Sequence, residues 1–460
     1  MSEISTDYLV VGAGATAMAF VDTLLDHTNA TITLVDKRDV PGGHWNDAYP
    51  FVQLHQPSSF YGVASKELSS FNVDKSGFNR GLEELASGQS IVAYFHDVME
   101  RKFLPSGRIK FLPMCEYGDG RLNSSFSGKQ IEVRIKRKLV DASYTENSIP
   151  LTHSRKFHVA SGVACIPPND LPRNVRAYSH FTVLGAGKTA IDVVLWLLSR
   201  GADQEQIRWI VPRDPWLTNR ISVQPGGAFF FDGLGGYAAQ LEALSAAATV
   251  DEVAQMMETA GVWMRLSAEV RPDMMHGPTV SLLEMEALRG IEDVVRLGRV
   301  KSIDATRMQL DDGKLPALPG SLYVDCTASA FPTGKCKPIF ENARITPQMI
   351  RMYQPTFSAA VLARIEALGY ETDQNNALAA PIPMTDSVAD WIEGQCITLR
   401  NAAKWTEIEP LADWIKFCRL DGYRRTILEA DKDDPKVREL LGKIRTLTPK
   451  AVENASRLVN

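Results

Sequence analysis

The chain has 460 residues, 45% of them hydrophobic and 23% charged, with a formal net charge of −5. That composition excludes a disordered chain and leaves room for two or three domains with real cores. The Lys and Arg residues are scattered instead of gathered into a stripe, which argues against a nucleic-acid partner. No apolar run reaches the roughly 20 residues that span a bilayer, and the opening "MSEISTDY" has neither part of a signal peptide. The expected location is cytoplasmic.

The first apolar run, Tyr8 to Val11, suits a strand buried on both faces of a parallel sheet. It leads into "GAGATA", Gly12 to Ala17, and then an apolar-periodic helix. In such a turn Gly12 permits the bend, Gly14 lets a pyrophosphate approach the backbone, and Ala17 lets helix and strand pack closely. The anion would rest on the N–H groups of the helix N-terminus. A second strand, "ATITLVDKR", ends in Asp36 with Lys37 beside it. Asp36 stands about 20 residues beyond the loop, where a dinucleotide fold puts the acid that accepts from a ribose; the competing reading is a turn cap.

Further along, "RIKFLPMCEY" and "KQIEVRIKRKLV" alternate as short strands do. The nucleotide plan then repeats: an apolar run from Phe181 to Leu184, and "GAGKTA" with Gly185, Gly187, Lys188, Thr189 and Ala190. The strand that follows, "IRWIVPRD", carries Arg213 where the first copy carries an acid. A guanidinium there binds a ribose 2′-phosphate that a carboxylate would repel, so NADPH is expected over NADH; the alternative for Arg213 is a solvated strand-end charge. The stretch "SVQPGGAFFFDGLGGYAAQ" is read as loop, with Phe229 to Phe231 either a mobile lid or substrate wall or ordinary packing around a turn, and "TVDEVAQMMETAGVWMRL" as a capped amphipathic helix. Helical periodicity resumes over "ITPQMIRMYQPTFSAAVLARIEALG". After a Pro-rich break come helices around Trp391, Trp405 and Trp414 and a charged C-terminal helix read as solvated surface.

Two intact loops are explained if one chain holds two dinucleotides, a resident FAD and an exchangeable NADPH. Cys115, Cys165, Cys326, Cys336, Cys396 and Cys418 offer neither a C-x-x-C pair nor zinc spacing. No metal site is expected, and dithiol flavin chemistry is set aside.

With these loops in place, the chain resembles the two-dinucleotide-binding flavoproteins that include the flavin-containing and Baeyer-Villiger monooxygenases. "VPGGHWNDAYP", with Gly42, Gly43, Trp45, Tyr49 and Pro50, is similar to that family's Gly-Gly-x-Trp and Tyr-Pro run beside the isoalloxazine. "HVASGVACIPPNDLP" is similar to the strand and turn by which the chain leaves the flavin domain, and "LYVDCTASAF", containing Asp325, to the return strand. "VPRDPW" is similar to the Arg-x-Pro-x-Trp segment, one residue short of its spacing.

The departures mark a distant branch. The long signature before the second loop is reduced to an echo at Tyr178, Ser179 and His180. Where Baeyer-Villiger members place an Asp, the chain reads "FVQLHQPSSFYG", so the resemblance puts His55 or Gln56 before the flavin as candidate catalytic groups; for His55 the competing reading is a hydrogen-bonded structural histidine.

What the resemblance implies is an α/β fold of two Rossmann-like dinucleotide-binding domains, the second inserted in the first, with a helical C-terminal part. Residues 1–175 would open the FAD domain. Residues 176–320 would form the NADP domain with a substrate-side insertion at about 217–300, and 321–460 would return to the first domain. The implied activity is an NADPH-dependent monooxygenase that passes one oxygen atom of O2 to a small organic substrate through a C4a-hydroperoxyflavin. The rivals are a flavin reductase or dehydrogenase that does not activate O2, and a nucleotide-binding redox sensor. Oligomeric state is left open.

Overall fold

The computed structural model describes residues 3–144, 148–328 and 336–459. Two parallel sheets, each opened by one of the glycine loops, organise the chain. In the first, the buried strand Glu3–Val11 lies between Ile32–Val35, which is followed by Ile109–Leu112, and the long strand Gln130–Asp141. All of these pairings are parallel. Arg121–Ser124 and Cys115–Gly118 extend the sheet beyond Gln130–Asp141 as an antiparallel edge. The alternating segments of the sequence therefore do enter this sheet. The helix Ala15–His27 covers it, packed against the helix Pro355–Leu368.

The second sheet is entirely parallel, in the order Val294–Val295, Ile207–Ile210, His180–Leu184, Ser321–Asp325, Cys165–Ile166. This corrects the expected division of the chain. The strand given to the return into the first domain, Ser321–Asp325, is hydrogen-bonded along its whole length to the loop-bearing strand His180–Leu184. Cys165–Ile166, also placed before residue 175, joins the same sheet. The reason is burial: every residue of Ser321–Asp325 is buried, which demands a neighbour on each side and cover on both faces. The chain rejoins the first sheet later, through Arg344–Ile345 beside Gln130–Asp141. Positions Ser329 to Phe331 of the expected return segment lie outside the described residues.

The segment from residue 217 forms a small sheet of Leu217–Asn219, Trp263–Met264 and Thr279–Val280, with helices around it. Here another expectation is overturned. The glycine-rich stretch read as loop is helical from Phe230 to Ala246. Gly233 and Gly236 are what let this helix lie on the preceding turn: a Cβ at Gly233 would sit 2.4 Å from the Gln224 carbonyl, and one at Gly236 2.6 Å from Ser222 Cβ. Close backbone approach outweighs the poor helix propensity of glycine.

The amphipathic helix that follows, Val250–Thr259, is capped as expected, Glu252 N–H donating to Thr249 Oγ1 at 3.1 Å. It ends at Thr259, short of the segment proposed. In the last third, residues before Pro355 are not helical; the helix begins there, with proline in its first turn, where its missing N–H costs nothing. Helices Val388–Thr406 and Glu409–Phe417 carry the three tryptophans. The C-terminal helix Pro435–Val459 is more than a solvated surface, because Ala451 and Ala455 are buried where it packs on Phe230–Ala246 and Val388–Thr406.

Candidate functional site

Both glycine loops open onto one cavity of about 2150 Å³ between the two sheets. In the first loop, Gly12 has a φ of +97°, a left-handed conformation that admits glycine cheaply. Gly14 heads the helix Ala15–His27, and no side chain caps it. The first-turn N–H groups are thus left to whatever occupies the cavity. Gly43 packs directly on this loop: a Cβ there would lie 2.8 Å from Gly14 Cα. The second loop repeats the arrangement. Gly187 heads Lys188–Ser199 uncapped, and a Cβ on Gly185 would come within 2.8 Å of the Cys326 carbonyl. Each loop leaves an uncapped helix N-terminus open to the cavity, and each fits the pyrophosphate of a dinucleotide.

Gly12, Gly14, Asp36, Lys37, Gly43, Trp45, His55, Gln56, Gly185, Gly187, Lys188, Thr189 and Arg213 all line this cavity. Two of the expected contacts do not. Ala17 is buried in the core between helix and sheet, in the packing role expected of it. Asp325 lies outside the lining. It is 3% exposed, and its carboxylate accepts from His153 Nε2 at 3.2 Å, Arg155 Nε at 3.3 Å and Thr327 Oγ1 at 2.7 Å. It anchors the end of a strand of the second sheet. Phe229 to Phe231 do not line the cavity either; Phe230 is buried against Leu234 and Val437, which favours packing over a lid.

Around the first loop, Asp36 accepts from Ala13 N–H at 2.6 Å and Arg38 N–H at 2.8 Å. Trp45 donates from its indole N–H to Tyr61 Oη at 2.8 Å and stacks with His44, ring centroids 5.1 Å apart. Burial, with Arg38 nearby, pushes the His44 pKa down to about 4.

The two units also meet where residues 49–53 pack against the helix Lys188–Ser199. Tyr49 Oη donates to Asp192 Oδ2 at 2.7 Å, and Lys188 Nζ reaches both Asp192 and, at 3.2 Å, the Gln53 carbonyl. Phe51 stacks on Trp196 at 4.9 Å.

At the other end Arg213 is held on three sides: Nε lies 3.3 Å from Asp273, Nη1 is 2.9 Å from Asp386, and Nη2 donates to the Asp273 carbonyl at 3.2 Å. His276 Nε2 lies 2.9 Å from the same Asp386. Burial works against the Asp386 carboxylate, but the hydrogen bonds of Arg213 and His276 outweigh it and hold its pKa below the usual value.

Several site residues carry no sequence signal. Arg220 is 2% exposed and lies behind His55, donating to the carbonyls of His55 (3.1 Å) and Thr279 (3.0 Å) and to Asn79 Oδ1 (3.0 Å), and pairing with Glu284 at 2.8 Å. Tyr353 lines the cavity with a φ of +59°, its hydroxyl 3.1 Å from Thr385 Oγ1 and its carbonyl 3.4 Å from Gln56 Nε2. A bulky residue in that backbone region marks local strain of the kind that collects at ligand sites.

The fold and the cavity define the class: an α/β protein with two Rossmann-like units that face each other across one cleft. Residues 10–53 match the family model described as an NAD(P)-binding Rossmann-like domain. The chain belongs to the family of the uncharacterized proteins Rv2000 and MT2056 of Mycobacterium tuberculosis and Mb2023 of Mycobacterium bovis, to each of which it is 43% identical over 438 residues, 95% of this chain and 81% of theirs. It shares its fold with the open crystal structure of cyclohexanone monooxygenase, at a TM-score of 0.50 and 13% identity over 99% of each chain. A flavin-containing monooxygenase from Stenotrophomonas maltophilia gives a TM-score of 0.48 and 13% identity over 80% of this chain and 99% of that one. Among the described residues no helix is long and apolar enough to cross a membrane.

Proposed function

We propose that the protein is an NADPH-dependent flavoprotein monooxygenase: O2, NADPH, a proton and a small organic substrate give the oxygenated substrate, NADP+ and water. The observation that carries this reading is the shared cavity, onto which two uncapped helix N-termini from separate sheets both open. One nucleotide alone would not need the second cradle.

FAD would lie on Gly12, Gly14 and Gly43, its ribose near Asp36 and Lys37 and its ring toward Trp45, His55 and Gln56. NADPH would lie on Gly185, Gly187, Lys188 and Thr189, with its 2′-phosphate toward Arg213. Bound flavin supplies the hydride acceptor and the O2 chemistry. The chain's own residues bind, orient and exclude water: Lys188, Asp192 and Tyr49 keep the two cradles in register, and Arg220 fixes the backbone on which His55 stands. The lining at Phe60, Met349, Tyr353 and Met384 supports an uncharged organic substrate.

The test is spectral. Purified protein should be yellow, and anaerobic mixing with NADPH should bleach it faster than mixing with NADH. O2 should then produce a transient absorbing species before the oxidised spectrum returns. A colourless protein that takes up no FAD overturns the proposal. Bleaching followed by direct reoxidation removes oxygen transfer and leaves the reductase.

A further inference from the structure

His55 sits where two units meet, and its surroundings leave it one role. The N–H of Thr279, in the inserted segment, points at His55 Nδ1 from 3.1 Å, and the Thr279 hydroxyl donates to the His55 carbonyl. A backbone N–H can only donate, so Nδ1 must accept, and the ring proton must then stand on Nε2. The hydrogen bonds of His55 among the described residues are at Nδ1 and the carbonyl, with none at Nε2, and His55 is one of the residues that line the cavity.

We infer that Thr279 fixes His55 as its Nε2–H tautomer, so that His55 presents the cavity with a hydrogen-bond donor and acts neither as general base nor as general acid. The group of the occupant that meets it is an acceptor, a carbonyl-type oxygen or an unprotonated ring nitrogen. That the occupant is a flavin or its substrate rests on the proposed function; the tautomer does not.

The charges around the ring act in the same direction. Lys188 approaches from the helix of the second loop and Arg220 from the turn at Arg220–Val223, each tempered by its own carboxylate, Asp192 and Glu284. Burial and these two cations push the His55 pKa down to about 3. An imidazolium would also turn Nδ1 into a second donor aimed at the Thr279 N–H.

This arrangement differs from a histidine poised for proton transfer, which keeps a carboxylate or water on one nitrogen and titrates near its working pH.

The experiment uses the full chain labelled with 15N in its eight histidines, without added nucleotide, so its outcome is separate from that of the flavin test. Two-bond 1H–15N correlation spectra distinguish the two neutral tautomers and the imidazolium by their cross-peak patterns. His55→Gln assigns the signal by its disappearance, and His55→Asn does so independently if the first variant does not fold. The expected result is a neutral Nε2–H pattern unchanged from about pH 8 to about pH 5. An Nδ1–H pattern, or conversion to imidazolium within that range, overturns the inference.

Discussion

Replacing Arg220 by Met tests whether one buried cation joins the first unit to the inserted segment. The guanidinium is 2% exposed and makes its ion pair with Glu284 at 2.8 Å, beside bonds to the carbonyls of His55 and Thr279 and to Asn79 Oδ1. Met fills much of the volume but leaves the Glu284 carboxyl, 8% exposed, without its cation. Breaking one side of such a pair costs about 3–5 kcal/mol. Unfolding entropy near about 2 cal/mol/K per residue gives roughly 1 kcal/mol/K for a chain of this length. A melting temperature lowered by about 3–5 °C is therefore expected if the chain unfolds as one unit, and more if the affected unit unfolds alone. Arg220→Met combined with Glu284→Leu should recover a large part of the loss, because no charge is left stranded. The assay is thermal unfolding followed by circular dichroism at two protein concentrations. A single variant within about 0.5 °C of the parent, or a double variant no better than the single, refutes the account of Arg220 as an indispensable partner.

Gly43→Ala places a methyl 2.8 Å from Gly14 Cα at a left-handed φ of +59°; it should cost about 1–3 kcal/mol and sharply lower FAD content, measured by absorbance after gel filtration. Gly277→Ala drives a Cβ to 2.4 Å from Tyr353 Cζ, so stability should fall by a similar about 1–3 kcal/mol in denaturant titration, and an unchanged midpoint would mean the ring is free to move. His44 and His55 have folded pKa values near 4 and 3 against an ordinary 6.5. Below pH 6.5 the unfolded chain therefore binds protons that the folded chain refuses, and each histidine removes stability as pH falls, at up to ~1.4 kcal/mol per pH unit, with no such slope above pH 6.5. Urea titrations between those limits should show His44→Gln losing part of that slope. Asp386→Ala frees Nη1 of Arg213 and should tighten NADP+ severalfold with little change for NAD+, read by calorimetry; equal gains for both would dissociate Arg213 from the 2′-phosphate.

How much of this was legible follows from how local each signal is. The turn of Gly12 to Ala17, its copy at Gly185 to Ala190 and the strands before them are contiguous, and their small residues are required by contacts within one supersecondary unit. They could be read directly. Ser321–Asp325 could be recognised as a buried strand but not assigned to a sheet, because pairing with residues about 140 positions away leaves no local trace. The helix at Phe230–Ala246 was hidden for the opposite reason: its glycines argue for loop by propensity, and only the turn at Ser222 and Gln224 beneath it explains them. Arg220, Thr279 and Tyr353 sit in no motif. Their importance comes from what the fold brings beside them, a carbonyl of His55, its Nδ1 and a left-handed backbone.

The two repeats differ most at the ends of their second strands, and the difference bears on which nucleotide stays. Asp36 uses one oxygen for Ala13 N–H and the other for Arg38 N–H. A carboxylate has about four acceptor positions, so a ribose hydroxyl can be added there without breaking a bond. Arg213 is different: Nε, Nη1 and Nη2 already face Asp273, Asp386 and a carbonyl. A phosphate arriving at that guanidinium competes with two carboxylates for its N–H groups, and Asp386 stands on the loop that leads into Val388–Thr406. Binding by addition keeps every bond within the protein, whereas binding in competition with Asp273 and Asp386 is opposed by the carboxylates that return when the ligand leaves. Under the proposed function the same glycine cradle, used twice, would be set by its strand-end residue for one held nucleotide and one exchanged nucleotide, the division of labour a flavin and its reductant require.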